Sequence, residues 1–165
     1  MAVELETERL RLRQFREDDL DAYCGFLSDP LTEATQGPAL GRGHVWRDIA
    51  KILGHWQLRG YGLWALEEKS TGSFAGHAGL WFPAGWNDIE VGYGLAPRHR
   101  GQGLATEAAA CARDYGYKIG IARLVSYILP TNEASQRVAQ RLQAKPDGAF
   151  MINDIPHITY LHQKP

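Results

Sequence analysis

One run, Pro97-Arg98-His99-Arg100-Gly101-Gln102-Gly103-Leu104-Ala105-Thr106-Glu107, constrains this chain more than any other. It follows Asp88–Ala96 (DIEVGYGLA), which alternates like a strand. It leads into Gly103–Ile119, where Leu104, Ala108, Cys111, Ala112 and Tyr115 fall at helical spacing. A basic, glycine-rich turn between a strand and a helix is an anion cradle in physical terms. Glycines let the main chain approach a phosphate, the first helical N–H groups point outward unpaired, and arginines add charge that can follow a diphosphate. The spacing is neither GxGxxG after a first strand nor GxxxxGK[ST], so dinucleotide and P-loop readings are weak. On these residues alone, a tight turn with solvated arginines explains the run equally well.

The rest of the chain alternates short strands and helices without repeat, low-complexity tract or linker, and reads as a single domain over residues 1–165. Thr7–Phe15 sets Leu10 and Leu12 against Arg9, Arg11 and Arg13, the period of a half-buried strand. Glu17, Asp18 and Asp19 suit a helix's first turn, and Leu20, Tyr23, Cys24 and Leu27 continue on one face. Asp29-Pro30 is expected to end that helix, and residues 31–43, with four breakers, to form an irregular connection. A helix is expected over His44–Arg59, then a hairpin of Gly62–Glu67 and Phe74–Phe82 around Lys69–Ser73. Arg123–Leu129 reads as a buried strand, and Pro130-Thr131-Asn132 opens a helix carrying Ala134, Val138 and Leu142. Pro146-Asp147-Gly148 reads as a turn and Ile158–His162 as a last strand. Hairpins mixed with parallel crossovers predict an α+β domain on a mixed sheet.

Composition narrows the partners. With 44% hydrophobic and 22% charged residues, a chain of 165 can bury its own core. Eighteen basic against nineteen acidic residues leave a net charge of -1, which argues against nucleic acid or an anionic membrane as partner. A local basic pocket for one small polyanion stays open. Cys24 and Cys111 make no disulfide framework, and His77 and His99 lack partners at ligand spacing, so no metal is expected. No apolar run reaches the ~18 residues of a membrane span, and Met1-Ala2-Val3-Glu4 lacks a signal peptide's regions. A cytoplasmic protein is the expectation.

The run Arg98-His99-Arg100-Gly101-Gln102-Gly103 resembles the phosphate loop of the GCN5-related N-acetyltransferases, Arg/Gln-x-x-Gly-x-Gly/Ala. Leu104-Ala105-Thr106-Glu107-Ala108 is similar to the branch that acetylates ribosomal-protein N-termini, the RimJ/RimL type. So are Thr7–Arg13, Ile89–Leu95 and Asn132-Glu133-Ala134-Ser135, the last like an Asn-x-x-Ser helix start. These matches keep their order over residues 7–142. The resemblance implies the acyl-CoA N-acyltransferase fold. That fold has a mixed, mostly antiparallel sheet of about seven strands, splayed between the fourth and fifth, with about four flanking helices. It implies acetyl-CoA as co-substrate and cofactor contacts from Arg98, Arg100, Gly101, Gln102, Gly103, Leu104, Ala105 and Asn132. The main chain near Tyr93 would polarise the thioester carbonyl, and Leu95 would pair with the pantetheine amides. A homodimer enters by analogy only.

The residues themselves permit this chemistry. If Asp88–Ala96 is extended, Glu90, Gly92 and Gly94 share a face, leaving room for a thin thioester arm beside a carboxylate. An amine attacks only when neutral. At pH 7 a protein α-amine is ~10–17% neutral and a lysine ~0.04%, so an α-amine needs less help from a base. Glu90 is the candidate base, acting through water. Relatives often carry a tyrosine two turns into the helix after the asparagine. Here Val138, Ala139 and Gln140 stand there, which leaves Ser135 as candidate acid or sulfur-orienting donor. Trp81 and Trp86 are candidates to line an acceptor cleft. Relatives close the last helix with Leu-Gly-Phe, whereas this chain reads Leu142-Gln143-Ala144, which unsettles the loop beyond. The expected activity is N-acetyl transfer to a protein or peptide N-terminal α-amine by direct attack in a ternary complex. The alternatives are a small amine (polyamine, amino acid or aminoglycoside) as acceptor, or a non-catalytic acyl-CoA-binding module.

Overall fold

A computed structural model describes residues 3–38 and 41–165. Met1 and Ala2 of the expected leaderless start, and Ala39 and Leu40 of the expected 31–43 connection, lie outside the described residues. The strands are β1 (Leu5–Glu6), β2 (Leu10–Arg13), β3 (Leu63–Glu68), β4 (Phe74–Trp81), β5 (Ile89–Leu95), β6 (Leu124–Ile128), β7 (Lys145–Ile152) and β8 (Ile155–Leu161). The helices are α1 (Leu20–Leu27), α2 (Pro30–Gln36), α3 (Arg42–Arg59), α4 (Leu104–Lys118) and α5 (Glu133–Arg141). The strands form one sheet in the order β1-β2-β3-β4-β5-β6-β8-β7. Every pairing is antiparallel except β5 with β6. This is the mixed α+β architecture expected, with eight strands and five helices among the described residues rather than about seven and four. No described helix is long and apolar enough to cross a membrane.

The alternation of β2 works as its sequence implies. Leu10 and Leu12 are fully buried in a core that runs through Trp64, Leu80, Val91 and Leu124 to Val138 and Leu142. The arginines between them are tied down. Arg11 and Arg13 both reach Glu67 on β3 (2.8 and 2.7 Å), and Arg13 also makes a buried two-pronged bond to Asp19 at 2.8 Å. Burial and two carboxylates make this a high-stakes pair, costly to break from one side. On α4, Leu104, Ala108, Ala109 and Ala112 form the buried stripe, small enough for the helix to lie close on β4 and β5.

Two expectations are corrected. The first helix does end at Leu27, but residues 31–36 are not irregular. Pro30 opens α2, because a proline in a first turn forfeits no helical bond, and Asp29 caps it by accepting from the Thr32 amide at 3.1 Å. Pro146-Asp147-Gly148 is not a turn. It lies within β7, where the register shifts between Pro146 and Ala149, a bulge that absorbs one extra residue. The reversal comes at Asn153-Asp154, both left-handed (φ 50° and 61°), as a two-residue hairpin turn demands. After α5, Gln143 takes the left-handed position (φ 60°) that relatives give to glycine.

Candidate active site

The sheet opens where its one parallel pairing fails. β5 and β6 are in register at Ile89↔Leu124 and Glu90↔Val125 only. On the far side β5 stays paired with β4, and Ala96 N–H still reaches Ala75 O at 2.9 Å. Main-chain groups alternate in direction along a strand, so those of Tyr93 and Leu95 face the opening. The Leu95 carbonyl is taken by Arg100 Nε at 2.9 Å. The opening continues into a cleft of about 1640 Å³ that runs from the turn after β5, past β6 and α5, to Trp81 and Trp86.

At one end lies the glycine turn. Gly101 and Gly103 hold left-handed φ values of 74° and 81°, which only glycine adopts without strain. The Glu107 amide is the first to find an acceptor at the helix start, Gly103 O at 3.1 Å. Among the described residues, the amides of 101–106 have no main-chain acceptor, and Gly101, Gly103, Ala105 and Thr106 line the cleft. That is an anion site at a helix N-terminus. Its frame comes from distant residues. Glu107 receives the Thr7 hydroxyl (2.5 Å), the Arg9 amide (2.9 Å) and the Arg9 guanidinium (2.8 Å), while Arg9 Nη1 donates to Gln102 O at 2.8 Å. These contacts hold the Glu107 carboxyl below the ordinary range against the opposing pull of burial. Arg100 braces the other side, pairing with Asp29 at 2.7 Å and Thr32 Oγ1 at 2.9 Å. That contact holds the Asp29 carboxyl below its ordinary pKa.

At the other end stands Glu90. It is partly buried, and burial pushes its pKa up to about 7, against the opposing pull of the Tyr127 amide. Its cross-strand neighbours are Trp81 on β4 and Val125 on β6, with Tyr127 two residues on along the same face. No cation among the described residues pairs with it, and Arg123 binds Asp88 and Asp147 (3.0 and 2.6 Å). Beside it Gly92 leaves space, since the nearest atoms a Cβ there would meet are the Glu90 carboxylate at 3.6 Å and Leu63 at 3.8 Å. Gly94 is different. A Cβ there would strike Phe26 and Gln36 at 2.9 Å, so this glycine admits the α1–α2 helices. Trp86 stands edge-on to Tyr127 at 5.2 Å, and Tyr127 stacks on Phe150 at 4.7 Å, giving the cleft an aromatic wall.

Helix α5 closes the far side. Asn132 Oδ1 accepts from the Ser135 amide at 3.1 Å, so Asn132 caps the helix. The Tyr93 hydroxyl donates to Ser135 O at 2.9 Å, linking β5 to α5 across the opening. Burial, with Glu90 and Tyr160 nearby, holds that phenol protonated well above its usual pKa.

The structure therefore gathers Glu90, Tyr93, Leu95, Arg100, Gly101, Gly103, Ala105, Asn132 and Ser135 around one cleft. Three others face elsewhere. Leu104 is buried in the core, and Arg98 and Gln102 line a groove on the outer side of the turn, where Gln102 Nε2 donates to Arg98 O. Cys111 and Cys24 pack against the core. No cluster of three or more His, Cys, Asp or Glu suited to a metal occurs among the described residues. Sequence reasoning missed Arg9, Glu107 and Tyr127 as parts of the site. Glu107 was visible only as a motif letter, because its partners lie about a hundred residues away.

Comparison with known proteins agrees with this geometry. The family model for the GNAT acetyltransferase domain matches residues 9–145. The chain is 34% identical over 148 residues to YkkB of Bacillus subtilis (strain 168), covering 85% of this chain and 84% of that one. It superposes on the crystal structure of an acetyltransferase from Agrobacterium tumefaciens str. C58 with a TM-score of 0.90 at 28% identity, covering 99% and 96% of the two chains. It shares its fold (TM-score 0.78, 16% identity, 96% of each chain) with a Salmonella typhimurium acetyl transferase that modifies the N-terminal serine of 50S ribosomal subunit protein L7/L12. Anion cradle, splayed parallel pair and family match coincide: the chain belongs to the GNAT acetyltransferase family and is an N-acetyltransferase.

Proposed function

We propose that this protein moves the acetyl group of acetyl-CoA to the N-terminal α-amine of a protein or peptide, by direct attack in a ternary complex. The observation that carries the reading is Glu90, the one cleft carboxylate among the described residues without a hydrogen-bonded cation, poised near neutral pH where β5 and β6 part. The free amides of 101–106 suit the diphosphate, with Arg98 and Gln102 bordering the turn from outside. The Tyr93 N–H and the Leu95 main chain suit the thioester carbonyl and the pantetheine arm. Asn132 and Ser135 at the start of α5 flank the sulfur's expected position. There Ser135 orients the leaving thiolate, since a serine hydroxyl is a poor proton donor.

The amine nitrogen attacks the thioester carbonyl carbon, the C–S bond breaks, and CoA leaves as thiolate. The proton lost by nitrogen passes to Glu90 directly or through one water. A base titrating near 7 suits an amine that is already ~10–17% neutral at pH 7, whereas a lysine would need far more assistance. The lining charges disfavour a polycation. Asp48, Glu107 and Glu133 each already hold a cation (Lys51 at 2.7 Å, Arg9 at 2.7 Å, Arg137 at 3.3 Å), and Arg141 adds positive charge. The shared fold with an enzyme acting on an N-terminal serine supports the same acceptor class here. Ribosomal or other proteins of the cytoplasm would then be the acceptors.

Thiol release from acetyl-CoA, measured against peptides with free N-termini, polyamines and aminoglycosides, tests the reading. Turnover is expected on peptides and lost when their N-terminus is blocked. Turnover confined to the small amines overturns the acceptor class, and acetyl-CoA binding without turnover on any amine favours a non-catalytic module.

A further inference from the structure

The parallel ladder stops one rung early, and two side chains account for the stop. After Glu90↔Val125, the next pairing would be Val91↔Ser126, and its bond would run from Tyr127 N–H to Val91 O. That rung is not made. Instead the Ser126 hydroxyl donates to Val91 O at 2.7 Å, while the Tyr127 amide acts on the Glu90 carboxylate. Ser126 is itself held. Its proton is committed to Val91, so His162 Nε2, at 2.9 Å, must be the donor to its oxygen. His162 is clamped in turn by its own amide to Leu124 O (3.0 Å) and by the Tyr117 hydroxyl on its carbonyl (2.8 Å). Ser126 and His162 are 2% and 3% exposed, and Ser126 lines the cleft at its apex. The same commitment of its proton makes Ser126 a poor nucleophile, despite its histidine neighbour.

We propose that Ser126, fixed by His162, is a positioning residue for acetyl transfer. By occupying the Val91 carbonyl, it ends the ladder at the apex of the splay and keeps the Tyr127 amide out of the rung. The inference rests on Glu90 being the base and on acetyl-CoA entering the splay. The strands are held apart at the point where the acyl group must lie, and the Val91–Gly92 peptide is fixed so that the next group facing the opening is Tyr93 N–H. Tyr93 of β5 and Tyr127 of β6 interact electrostatically with Glu90, and Asp48 and Lys51 of α3, His77 of β4, Glu133, Arg137 and Arg141 of α5 and His157 of β8 are among the other titratable or charged groups that line the cleft.

The test compares Ser126→Ala and Ser126→Thr with the wild type, by calorimetry with acetyl-CoA and by rate against pH on a short peptide with N-terminal serine. In Ser126→Ala the Tyr127 amide is free to complete the rung, so kcat falls about tenfold, as for one lost hydrogen bond at the reacting centre. KM for acetyl-CoA changes little. The rising limb of the pH profile moves to higher pH, because the amide that favoured the carboxylate has left it. Ser126→Thr, which keeps the hydroxyl, restores both. A Ser126→Ala enzyme with wild-type kcat and an unmoved limb overturns the proposal while leaving the acetyl-transfer reading intact. Should Ser126→Ala fail to fold, Ser126→Cys, a weaker donor of similar size, is read in the same way. A wild type that binds acetyl-CoA but ignores the peptide refutes the peptide-acceptor reading. Hydrogen exchange at the Tyr127 amide then judges the apex, slower exchange in Ser126→Ala supporting it and unchanged exchange counting against it. No binding by the wild type refutes both.

Discussion

The two ends of the cleft are built differently. Around the glycine turn, ionic contacts fix the main chain from several directions: Arg9 and Thr7 on Glu107, Arg100 on Asp29, and, one layer in, Arg13 on Asp19 and Glu67. At the other end, the walls are aromatic rings, Trp86 on the loop before β5 and Tyr127 of β6 backed by Phe150 of β7, and β7 is exposed along most of its length. A diphosphate always presents the same charges, so its site repays a rigid frame that needs no reorganisation on binding. Flat apolar walls on loops can be changed residue by residue without disturbing that frame. On the proposed reading, cofactor recognition lies in the frame and acceptor choice in the aromatic wall.

The sharpest way to break this comparison is at Glu90, which the proposed function places in the reaction and not in the frame. Glu90→Gln should lower kcat by ~10²–10³ at pH 8 while leaving acetyl-CoA affinity within about twofold. The same change should stabilise the fold at that pH. Burial raises the pKa of Glu90 above its unfolded value, so holding it ionised costs free energy that grows as pH rises from about 4.5 to about 7. The stabilisation at pH 8 is roughly 2–3 kcal/mol, readable as a melting shift. A variant that loses activity without gaining stability would show that Glu90 is not held against its own charge.

The frame predicts the opposite pattern. Asp19→Ala leaves the buried Arg13 with Glu67 as its one remaining carboxylate and should cost up to ~3–5 kcal/mol in denaturant titration. Whatever folded fraction remains keeps its rate against pH, because Arg13 and Asp19 touch no cleft atom. For the wild type, kcat on a peptide acceptor should climb tenfold per pH unit below about 7 and flatten above it. A limb near 4.5 would place the base in water. Trp86→Ala should raise the acceptor's KM about tenfold and leave that of acetyl-CoA unchanged, since a lost aromatic contact weakens only the partner it touches. The smallest effect is expected at Asn132→Ala, where loss of the helix cap costs ~1 kcal/mol of stability.

Local patterns proved readable from the chain, and relations between distant segments did not. The strand–turn–helix at residues 89–118, the buried faces of β2 and α4, and the cap at Asn132 all follow from spacing within a few residues. The resemblance then named the cleft. What stayed hidden depends on pairs far apart in sequence. Arg9 and Glu107 carry no joint signal, and Ser126, His162 and Val91 meet only because β6 lies between β5 and β8. Proline misled twice, in opposite ways. At Pro30 it opened a helix rather than only ending one, and at Pro146 it sat on an edge strand beside a bulge, where no ladder bond is required of it.

The claim on which everything turns is that the amides of residues 101–106 grip the diphosphate of acetyl-CoA. A backbone amide NMR titration of the wild-type protein with acetyl-CoA tests it directly. The account predicts that Gly101, Gly103, Leu104, Ala105 and Thr106 show the largest shifts, with Tyr93 and Leu95 following along β5. Saturable binding that leaves those amides unmoved, or no binding at all, would contradict it.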